Sequence, residues 1–401
     1  MKKSISRISA LLVASALTLT ACGPAATNGT TTPGTGGATT TTAGDTTSSG
    51  EEILLGLFEP LTGANAGGGL LEAMGMRLAN KVYPEVLGRP IRLIEADNKS
   101  DRVEAANAAN SLVNSGVSAV LGSWGSTLSI GGGSAFETAE IPAVAASATN
   151  PQVTEDNEYY YRVCFIDPFQ GQVMANYAYT NLGFTKAAII REINSDYSVG
   201  LANFFEKMFT ELGGTISATY DFQSGDQDFN AQLTNLKATD AEVIFLPANF
   251  TEAGLITRQA RELGVELPIL GGDTWETPQL IEIGGDAVEG AVFSTFFDES
   301  QALTPETSKF IEEWKKEYPN DDIAAVSALA YDAYLIVYKA IEAAGSAEPA
   351  DIKAALDNME DFEGVTGIVN FDENRNAIKD AVLKTIENGE FTFVDTVGAG
   401  E

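Results

Sequence analysis

The alternation of short apolar runs with longer helical patterns constrains the fold of this chain most, and it occurs twice. In the first half the candidate strands are Ile53–Phe58, Ile91–Ala96, Val117–Gly122 and Ile141–Ala145. After a break near Asp167 they are Ala187–Ile190, Ile216–Tyr220, Val243–Leu246, Ile269–Gly271 and Val288–Phe293. Strands that alternate with helices form βαβ units on a parallel sheet. The sequence therefore predicts an α/β protein with two similar, doubly wound lobes.

The C-terminal part of the chain holds too few elements for a third domain. Its predicted elements are helices at Glu306–Tyr318 and Asp322–Ala343, a strand at Gly364–Phe371, and a hairpin of Ala381–Asn388 with Glu390–Asp395. We therefore expect the chain to cross between the lobes more than once. The predicted lobes are 52–167 with 298–364, and 168–297 with 365–401. Because ligands of open α/β sheets lie beyond the carboxyl ends of the strands, two facing lobes predict a binding cleft between them.

Composition removes several classes of function. The chain has no histidine, so it has no imidazole base, no Ser-His or Cys-His pair and no His-ligated zinc. Its formal charge is −32. Nucleic-acid binding depends on Lys and Arg that neutralise phosphates, and we therefore expect no nucleic-acid partner.

The first residues have the pattern of an export signal. Lys2, Lys3 and Arg7 precede a short apolar run, Ala10–Leu19, which falls below the roughly 20 residues that span a bilayer. The run ends in Leu19-Thr20-Ala21-Cys22, which resembles a bacterial lipobox. We predict a signal peptide at 1–21 and lipid attachment at Cys22. An ordinary signal peptide with an incidental cysteine is the alternative.

A tether follows the predicted lipid site. Residues 22–51 are almost entirely Thr, Gly, Ala, Ser and Pro, a composition that forms no core. We expect an anchored protein on the outer face of the bacterial cytoplasmic membrane, or facing the periplasm if the cell has an outer membrane. The other cysteine, Cys164, lies in an apolar stretch and is predicted to be a small buried side chain, with a reactive thiol as the alternative.

Several segments, in this order and spacing, resemble the type I periplasmic binding proteins, and among them the branched-chain amino-acid binding proteins of ABC importers. They are Gly56-Leu-Phe-Glu-Pro-Leu-Thr-Gly63, Ala119-Val-Leu-Gly122 with Ser126-Thr127, Ala146-Ser-Ala-Thr-Asn-Pro151, Phe169-Gln-Gly-Gln172, Asp196-Tyr-Ser-Val-Gly200, Gln259-Ala-Arg-Glu-Leu-Gly264 with Gly271-Gly-Asp273, and Tyr331-Asp-Ala-Tyr334. The resemblance implies two lobes, three crossovers and a zwitterion held between the lobes.

The resemblance also implies a carboxylate site. A hydroxyl after the third strand matches Ser126, beside Thr127, and a small-residue loop after the fourth strand matches Ser147-Ala148-Thr149. Ser126 and Thr127 stand where a helix is predicted to begin, and free backbone N–H groups there favour an anion. Ser126 could instead cap that helix, and the two roles are compatible.

The ligand ammonium needs an acidic partner. The acidic position of the family matches Asp273, and a family aromatic that contacts the ammonium matches Tyr197. Asp273 could instead cap a helix that begins near Thr277, and Tyr197 could be an ordinary loop aromatic.

Departures from the family pattern bear on specificity. Relatives often carry an aromatic where this chain has Ala64-Asn-Ala-Gly-Gly-Gly69, which leaves that wall open. Trp124 and Trp275 are candidates to fill the space, with the core or the rim as the alternative. A family tyrosine of the second lobe aligns with Asn249 or Phe250, and the cysteine pair of some relatives is missing near Ser100.

Other clusters of residues give only weak signals for a metal site or a nucleotide site. The acidic groups Asp221, Asp226, Asp228 and Glu155, Asp156, Glu158 lack the EF-hand pattern, and the glycine clusters at 67–69 and 131–133 lack the Lys-Ser/Thr of a P-loop. We expect no metal and no cofactor.

The sequence thus predicts a monomeric, extracytoplasmic solute-binding lipoprotein without enzymatic activity. Its predicted partners are a small amino-acid-like ligand, with branched-chain amino acids as the first expectation, and ABC permease subunits. The alternatives are a binder of amides, urea or aromatic amino acids, a ligand-sensing receptor domain, and an enzyme that uses Asp273 with Glu276 as an acid/base pair.

Overall fold

The fold was taken from a computed structural model that describes residues 51–301 and 303–399. The first strands are β1 Ile53–Glu59, β2 Glu85–Val86, β3 Arg89–Asp97, β4 Ala119–Gly122, β5 Ala143–Ala145 and β6 Tyr160–Arg162. They are followed by β7 Lys186–Glu192, β8 Thr215–Phe222, β9 Val243–Phe245, β10 Ile269–Gly271, β11 Val292–Thr295, β12 Phe362–Gly364, β13 Gly367–Val369, β14 Ala381–Glu387 and β15 Glu390–Val397.

The helices fall between these strands. They are α1 Ala66–Val82, α2 Arg102–Asn114, α3 Ser126–Thr138, α4 Asp167–Asn176, α5 Asp196–Glu211, α6 Asn230–Leu236, α7 Phe250–Glu262, α8 Pro278–Gly284, α9 Pro305–Glu317, α10 Ala325–Ala344 and α11 Pro349–Asp357. The predicted signal peptide at 1–21, Cys22 and the tether as far as residue 50 lie outside the described residues.

Two parallel-dominated sheets organise the protein, which confirms the predicted fold class. The first sheet has the order β2-β3-β1-β4-β5-β6, and the second has the order β15-β14-β11-β10-β9-β7-β8. Strands β1, β3, β4, β5 and β6 run parallel in the first sheet, as do β7 to β11 in the second. Most of these strands are apolar and buried along their length, as expected where helices cover both faces.

The chain passes between the two sheets three times. It leaves the first sheet after β6 and the second after β11, where α10 then packs against α1, β4 and β5. It returns to the second sheet with β14, which pairs antiparallel with β11. The exact lobe boundaries at residues 167, 298 and 365 stay a prediction.

Local sequence explains where the helices near the cleft begin and end. The Asp101 side chain caps α2 by accepting from the N–H groups of Val103 and Glu104, and the Ser195 hydroxyl caps α5 by accepting from Ser198 N–H. Helix α10 ends at Gly345, whose φ of 64° is the left-handed conformation that glycine adopts without a steric penalty.

One predicted element was wrong. The segment Gly364–Phe371 was expected to form a single strand, but β12 and β13 pair there as a short antiparallel hairpin. Gly367 has a φ of 108°, which reverses the chain inside the predicted strand.

Two further observations concern predictions made above. Cys164 is fully buried with a free thiol, and burial raises the pKa of that thiol, as expected of a small core side chain. Among the described helices, none is long and apolar enough to cross a membrane.

Candidate functional site

A cavity of about 300 Å³ lies at the carboxyl edges of the two sheets. It is lined by Asn65, Ser100, Asp101, Arg102, Trp124, Gly125, Ser126, Thr127, Leu128, Ser147, Glu192, Asn194, Ser195, Tyr197, Ser224, Asn249, Asp273 and Thr274. These residues come from loops that follow strands of both sheets, the position where ligands of α/β sheets bind. The volume is at the small end of the range for small-molecule pockets.

One end of the cavity offers hydrogen-bond donors. Helix α3 begins here at Ser126, and its N-cap, Gly125, provides no side-chain cap for the free N–H groups of the first turn. The Ser126 Oγ accepts from Asn150 N–H at 3.0 Å, and the Thr127 Oγ1 accepts from Asp196 N–H at 2.9 Å. Both hydroxyls accept these backbone bonds, so their protons remain available to a ligand. Ser126 is the first residue of the helix and does not cap it.

Another end of the cavity presents a buried carboxylate. Asp273 follows β10 and is 2% exposed, and its Oδ1 accepts from Gln170 Nε2 at 2.8 Å and from the Tyr197 hydroxyl at 3.0 Å. Burial raises the pKa of Asp273 to about 6, although the hydrogen bonds from Gln170 and Tyr197 lower it. Thr277, not Asp273, occupies the N-cap position of α8, and its side chain makes no capping hydrogen bond. Tyr197 is a buried residue of the first turn of α5 that orients the carboxylate.

Ser147 lines the cavity, but its hydroxyl has a different partner from the one expected. It donates to Glu72 Oε1, a fully buried carboxyl of α1. A serine hydroxyl has one proton to donate, so Ser147 offers the cavity lone pairs and no donor. Lone pairs suit an ammonium group better than a carboxylate.

Glu72 forms a carboxyl pair with Glu59, the last residue of β1. Glu59 is fully buried, and its Oε2 accepts from Trp124 N–H at 2.7 Å. The remaining oxygens, Glu59 Oε1 and Glu72 Oε2, receive no N–H or conventional O–H donor from the described residues. Two neighbouring carboxylates repel each other, so the Glu72 charge adds to burial in raising the pKa of Glu59, and the pair favours a proton on one of its members. The pair thus fixes Trp124 and Ser147 from behind the cavity wall.

This carboxyl pair predicts that the protein loses stability as the pH rises. Burial raises the pKa of Glu72 from 4.5 to about 7, and it raises the pKa of Glu59 well above its usual range. A raised carboxyl pKa stabilises the folded state below the unfolded pKa, and this contribution disappears as the pH passes the folded value. For Glu72 alone the loss is about 3 kcal/mol, at 1.36 kcal/mol per pKa unit.

Urea unfolding of the wild type and of Glu72→Gln between pH 5 and pH 8 measures this contribution. The stability advantage of the wild type over the variant is expected to shrink by most of that amount across the range. Glu211→Gln, an exposed position at the end of α5, serves as the control and should run parallel to the wild type. Parallel curves for Glu72→Gln as well would contradict the raised pKa of Glu72.

Trp124 forms the aromatic wall of the cavity and takes the space beside the glycine run of α1. A Cβ atom on Gly68 would lie 2.3 Å from Trp124 Cε2, so the indole lies directly against the helix backbone. Across the cleft, the Phe250 ring meets Trp124 edge to face at 6.1 Å between centroids. Asn249 lines the cavity, whereas Phe250 supports the wall from outside.

Besides Phe250, three more of the predicted site residues lie behind the cavity surface. Ala148 is fully buried, and its carbonyl accepts from Arg162. Thr149 is fully buried with its hydroxyl beside the Asp167 carboxyl, whose pKa burial raises well above its usual range. Trp275 is fully buried and donates from Nε1 to the Ala248 carbonyl at 3.0 Å, which makes it a core residue.

The sequence did not identify several residues that line the cavity, namely Asn65, Asp101, Arg102, Leu128, Glu192, Asn194, Ser195, Ser224 and Thr274. Most are short polar residues that directly follow a strand, and that position was the available signal. Among the described residues, no group of three or more His, Cys, Asp or Glu could hold a metal ion.

The proposed acid/base pair of Asp273 and Glu276 does not form. The Glu276 carboxylate accepts from Lys384 Nζ at 2.7 Å and from the Thr295 hydroxyl, away from the cavity lining. Asp273 therefore has no paired catalytic carboxylate at Glu276.

Comparison with known proteins gives a consistent result. The family model described as "Periplasmic binding protein" matches residues 52–390. A Leu/Ile/Val-binding protein homolog 1 from Brucella suis biovar 1 (strain 1330) is 28% identical over 326 residues, which cover 80% of this chain and 86% of the relative.

Two solved structures are similar over nearly their whole length. The leucine binding protein LivK from Thermotoga maritima MSB8 is 40% identical, with a TM-score of 0.84, and the match covers 86% of this chain and 99% of that one. The branched-chain amino acid transporter substrate binding protein LivJ from Streptococcus pneumoniae, solved with isoleucine, is 31% identical, with a TM-score of 0.81 and the same coverage. The chain therefore belongs to the periplasmic binding protein family.

Proposed function

We propose that this protein is the solute-binding component of an ABC importer and holds one α-amino acid of the branched-chain class in the cavity. The observation that carries the proposal is the separation of unlike polar groups within one cavity. The first turn of α3, with Ser126 and Thr127, supplies donors for a carboxylate, and Asp273 supplies an acceptor for an ammonium group. In an α-amino acid, the ammonium group and the carboxylate are attached to the same carbon atom. The names of the similar proteins support the branched-chain class.

Binding is expected to act through closure of the cleft. Asp196 of α5 contacts three residues of the facing lobe: its N–H donates to Thr127, its carbonyl accepts from Asn150 at 2.7 Å, and its carboxylate pairs with Arg102 at 2.9 Å. A ligand whose contacts are divided between the lobes stabilises only the closed arrangement, and we propose that a permease recognises this arrangement.

Ligand titration tests the proposal directly. Calorimetric titration with leucine, isoleucine and valine should show binding of one ligand per chain, without product formation on prolonged incubation. A thermal-shift screen that adds other amino acids, acetamide and urea should rank α-amino acids above the amides. Binding of amides but of no amino acid would overturn the proposal.

We further propose that the protein is anchored through a lipid on Cys22, outside the membrane that exports it. The support is the sequence pattern that ends at Cys22 and the tether that follows it. The end-to-end distance of a random coil scales as about 5–6 Å × √n, so we expect a tether of this composition to give the binding domain a reach of tens of ångströms.

Cys22→Ser is expected to release the protein from the membrane fraction without changing its ligand affinity. The reason is that Cys22 precedes the described residues, and the described residues that line the cavity begin at Asn65. Fractionation followed by immunoblotting measures the release, with Cys164→Ser as the control that should stay anchored. A Cys22→Ser protein that remains in the membrane fraction would contradict lipid attachment.

A further inference from the structure

A second acidic side chain lines the cavity, and one of its oxygens has no partner. Glu192, the last residue of β7, is 4% exposed. Its backbone N–H donates to Ser198 Oγ at 2.9 Å, and a hydrogen bond with Ser224 lowers the pKa of its carboxyl, but the Oε2 atom receives no hydrogen bond from the described residues. Such a buried, unsatisfied acceptor is costly unless a ligand or water completes it.

The register of the second sheet gives the position of Glu192 relative to Asp273. Ile189 of β7 and Leu270 of β10 both pair with Phe245 of β9, and Glu192 and Asp273 each lie three residues further along. Strand β10 ends at Gly271, and Asp273 begins the short 3-10 turn that follows, so both acids lie at the same edge of the sheet. The strands that carry them are two spacings of about 4.8 Å apart, or roughly 10 Å between their backbones. An extended lysine with a hydrogen bond at each end reaches across that distance.

The charges around Glu192 favour a cation at this end of the cavity. The Glu252 carboxyl, 2% exposed on α7, faces Glu192, and burial together with this charge raises the pKa of Glu192 to about 7. Arg102 is the only cation that lines the cavity, and it pairs with Asp196 at 2.9 Å. A positive ligand group would therefore meet the Glu192 carboxyl with Glu252 behind it, and the lining cation Arg102 is already paired with Asp196.

The lining is also poorly suited to an exclusively aliphatic side chain. Leu128 is the only aliphatic side chain in the lining, and Trp124 and Tyr197 are its aromatic members. Around Glu192 the neighbouring lining residues are Asn194, Ser195 and Ser224. An apolar side chain that reached this end would desolvate the Glu192 carboxyl without pairing it.

We propose that Glu192 anchors a cationic group at the end of the ligand's side chain, so that the cavity binds basic α-amino acids such as lysine in addition to branched-chain ones. The inference rests on the proposed function, because Asp273 and the first turn of α3 must hold the α-ammonium and the carboxylate. Glu192 is then the residue that determines specificity for the group at the end of the ligand's side chain.

Calorimetric titration of the full chain with lysine and norleucine tests this inference, because the two ligands differ only at the end of the side chain. The wild type is expected to bind lysine at least tenfold more tightly than norleucine. Glu192→Gln keeps the shape of the side chain and is expected to bring the ratio of the lysine and norleucine affinities to within threefold of unity. Glu206→Gln, an exposed acid on α5, should keep the wild-type ratio.

The outcomes separate this inference from the proposed function. Lysine that binds no more tightly than norleucine to the wild type would overturn the inference, and this result needs no variant to fold. An unchanged ratio in Glu192→Gln would overturn it as well. If lysine, norleucine and leucine all fail to bind, the proposed function is wrong, and the inference fails with it.

Discussion

Asp273→Ala is expected to weaken amino-acid binding by about 2–5 kcal/mol, which is roughly 30-fold to several thousand-fold in affinity. Removal of one partner of a buried charge pair leaves the other charge desolvated and unpaired. Asp273 is 2% exposed, and Gln170 and Tyr197 hold its Oδ1 in place before a ligand arrives. The carboxylate is thus pre-oriented for the ligand ammonium.

Calorimetry on the variant measures this loss, and thermal unfolding shows whether the variant is folded. Asp286→Ala, at an exposed acid of the same lobe, is the matched control and should keep wild-type affinity. Because burial raises the pKa of Asp273 to about 6, the wild-type affinity should also fall as the pH drops below 6, when the carboxylate becomes protonated. A loss below about threefold in Asp273→Ala would mean that another acid, such as Glu192, holds the ammonium.

The sheets could be predicted from the sequence because their strands are continuous apolar runs between helical patterns. Most strand ends moved by a residue or two, as at β3, which begins at Arg89 and not at Ile91. Strand β11 begins four residues later than predicted, at Val292, because Val288 ends a 3-10 turn. The hairpin at Gly367 was missed because a run of apolar residues does not show where the chain reverses. Packing against Asp332, which accepts from the Val365 and Thr366 N–H groups, fixes this reversal.

The main polar residues of the cavity could be predicted because they directly follow strands. Ser126 and Asp273 were assigned through family resemblance and helix or sheet-edge position, and both line the cavity. Their contacts with a ligand stay a prediction. Thr149 and Trp275 follow strands too, but they turn into the core, and side-chain direction after a strand is not encoded by spacing.

The buried carboxyl pair could not be predicted because its members meet only in three dimensions. Glu72 lies four residues after Gly68 and four before Met76 on the buried face of α1, so a charged residue on an apolar face was a visible signal. Its partner Glu59 lies on another element, and no spacing rule joins them. Glu192 was missed for a similar reason, since an acid at the end of a strand is usually solvated.

The carboxylate of the ligand provides the second large effect. Leucinamide is expected to bind at least a hundredfold more weakly than leucine, because a neutral amide loses the charge-assisted hydrogen bonds at the first turn of α3. Each such bond is worth about 1.5–3 kcal/mol, against about 0.5–1.5 kcal/mol for a neutral bond. The positive end of the helix dipole, close to Ser126 and Thr127, adds to the preference for a charged group.

Parallel titrations with leucine and leucinamide measure the effect, and the same comparison applies to whichever amino acid binds most tightly. Ser126→Ala should lower the affinity for leucine more than the affinity for leucinamide, and so reduce the ratio of the two affinities. Ser126 also accepts from Asn150 N–H, so the stability of this variant must be measured alongside, with the exposed Ser134→Ala on the same helix as the control. Equal affinities of acid and amide in the wild type would show that the carboxylate is not recognised. The first turn of α3 would then bind a neutral oxygen of the ligand. Binding of amides or urea would replace amino-acid binding as the function that this cavity supports.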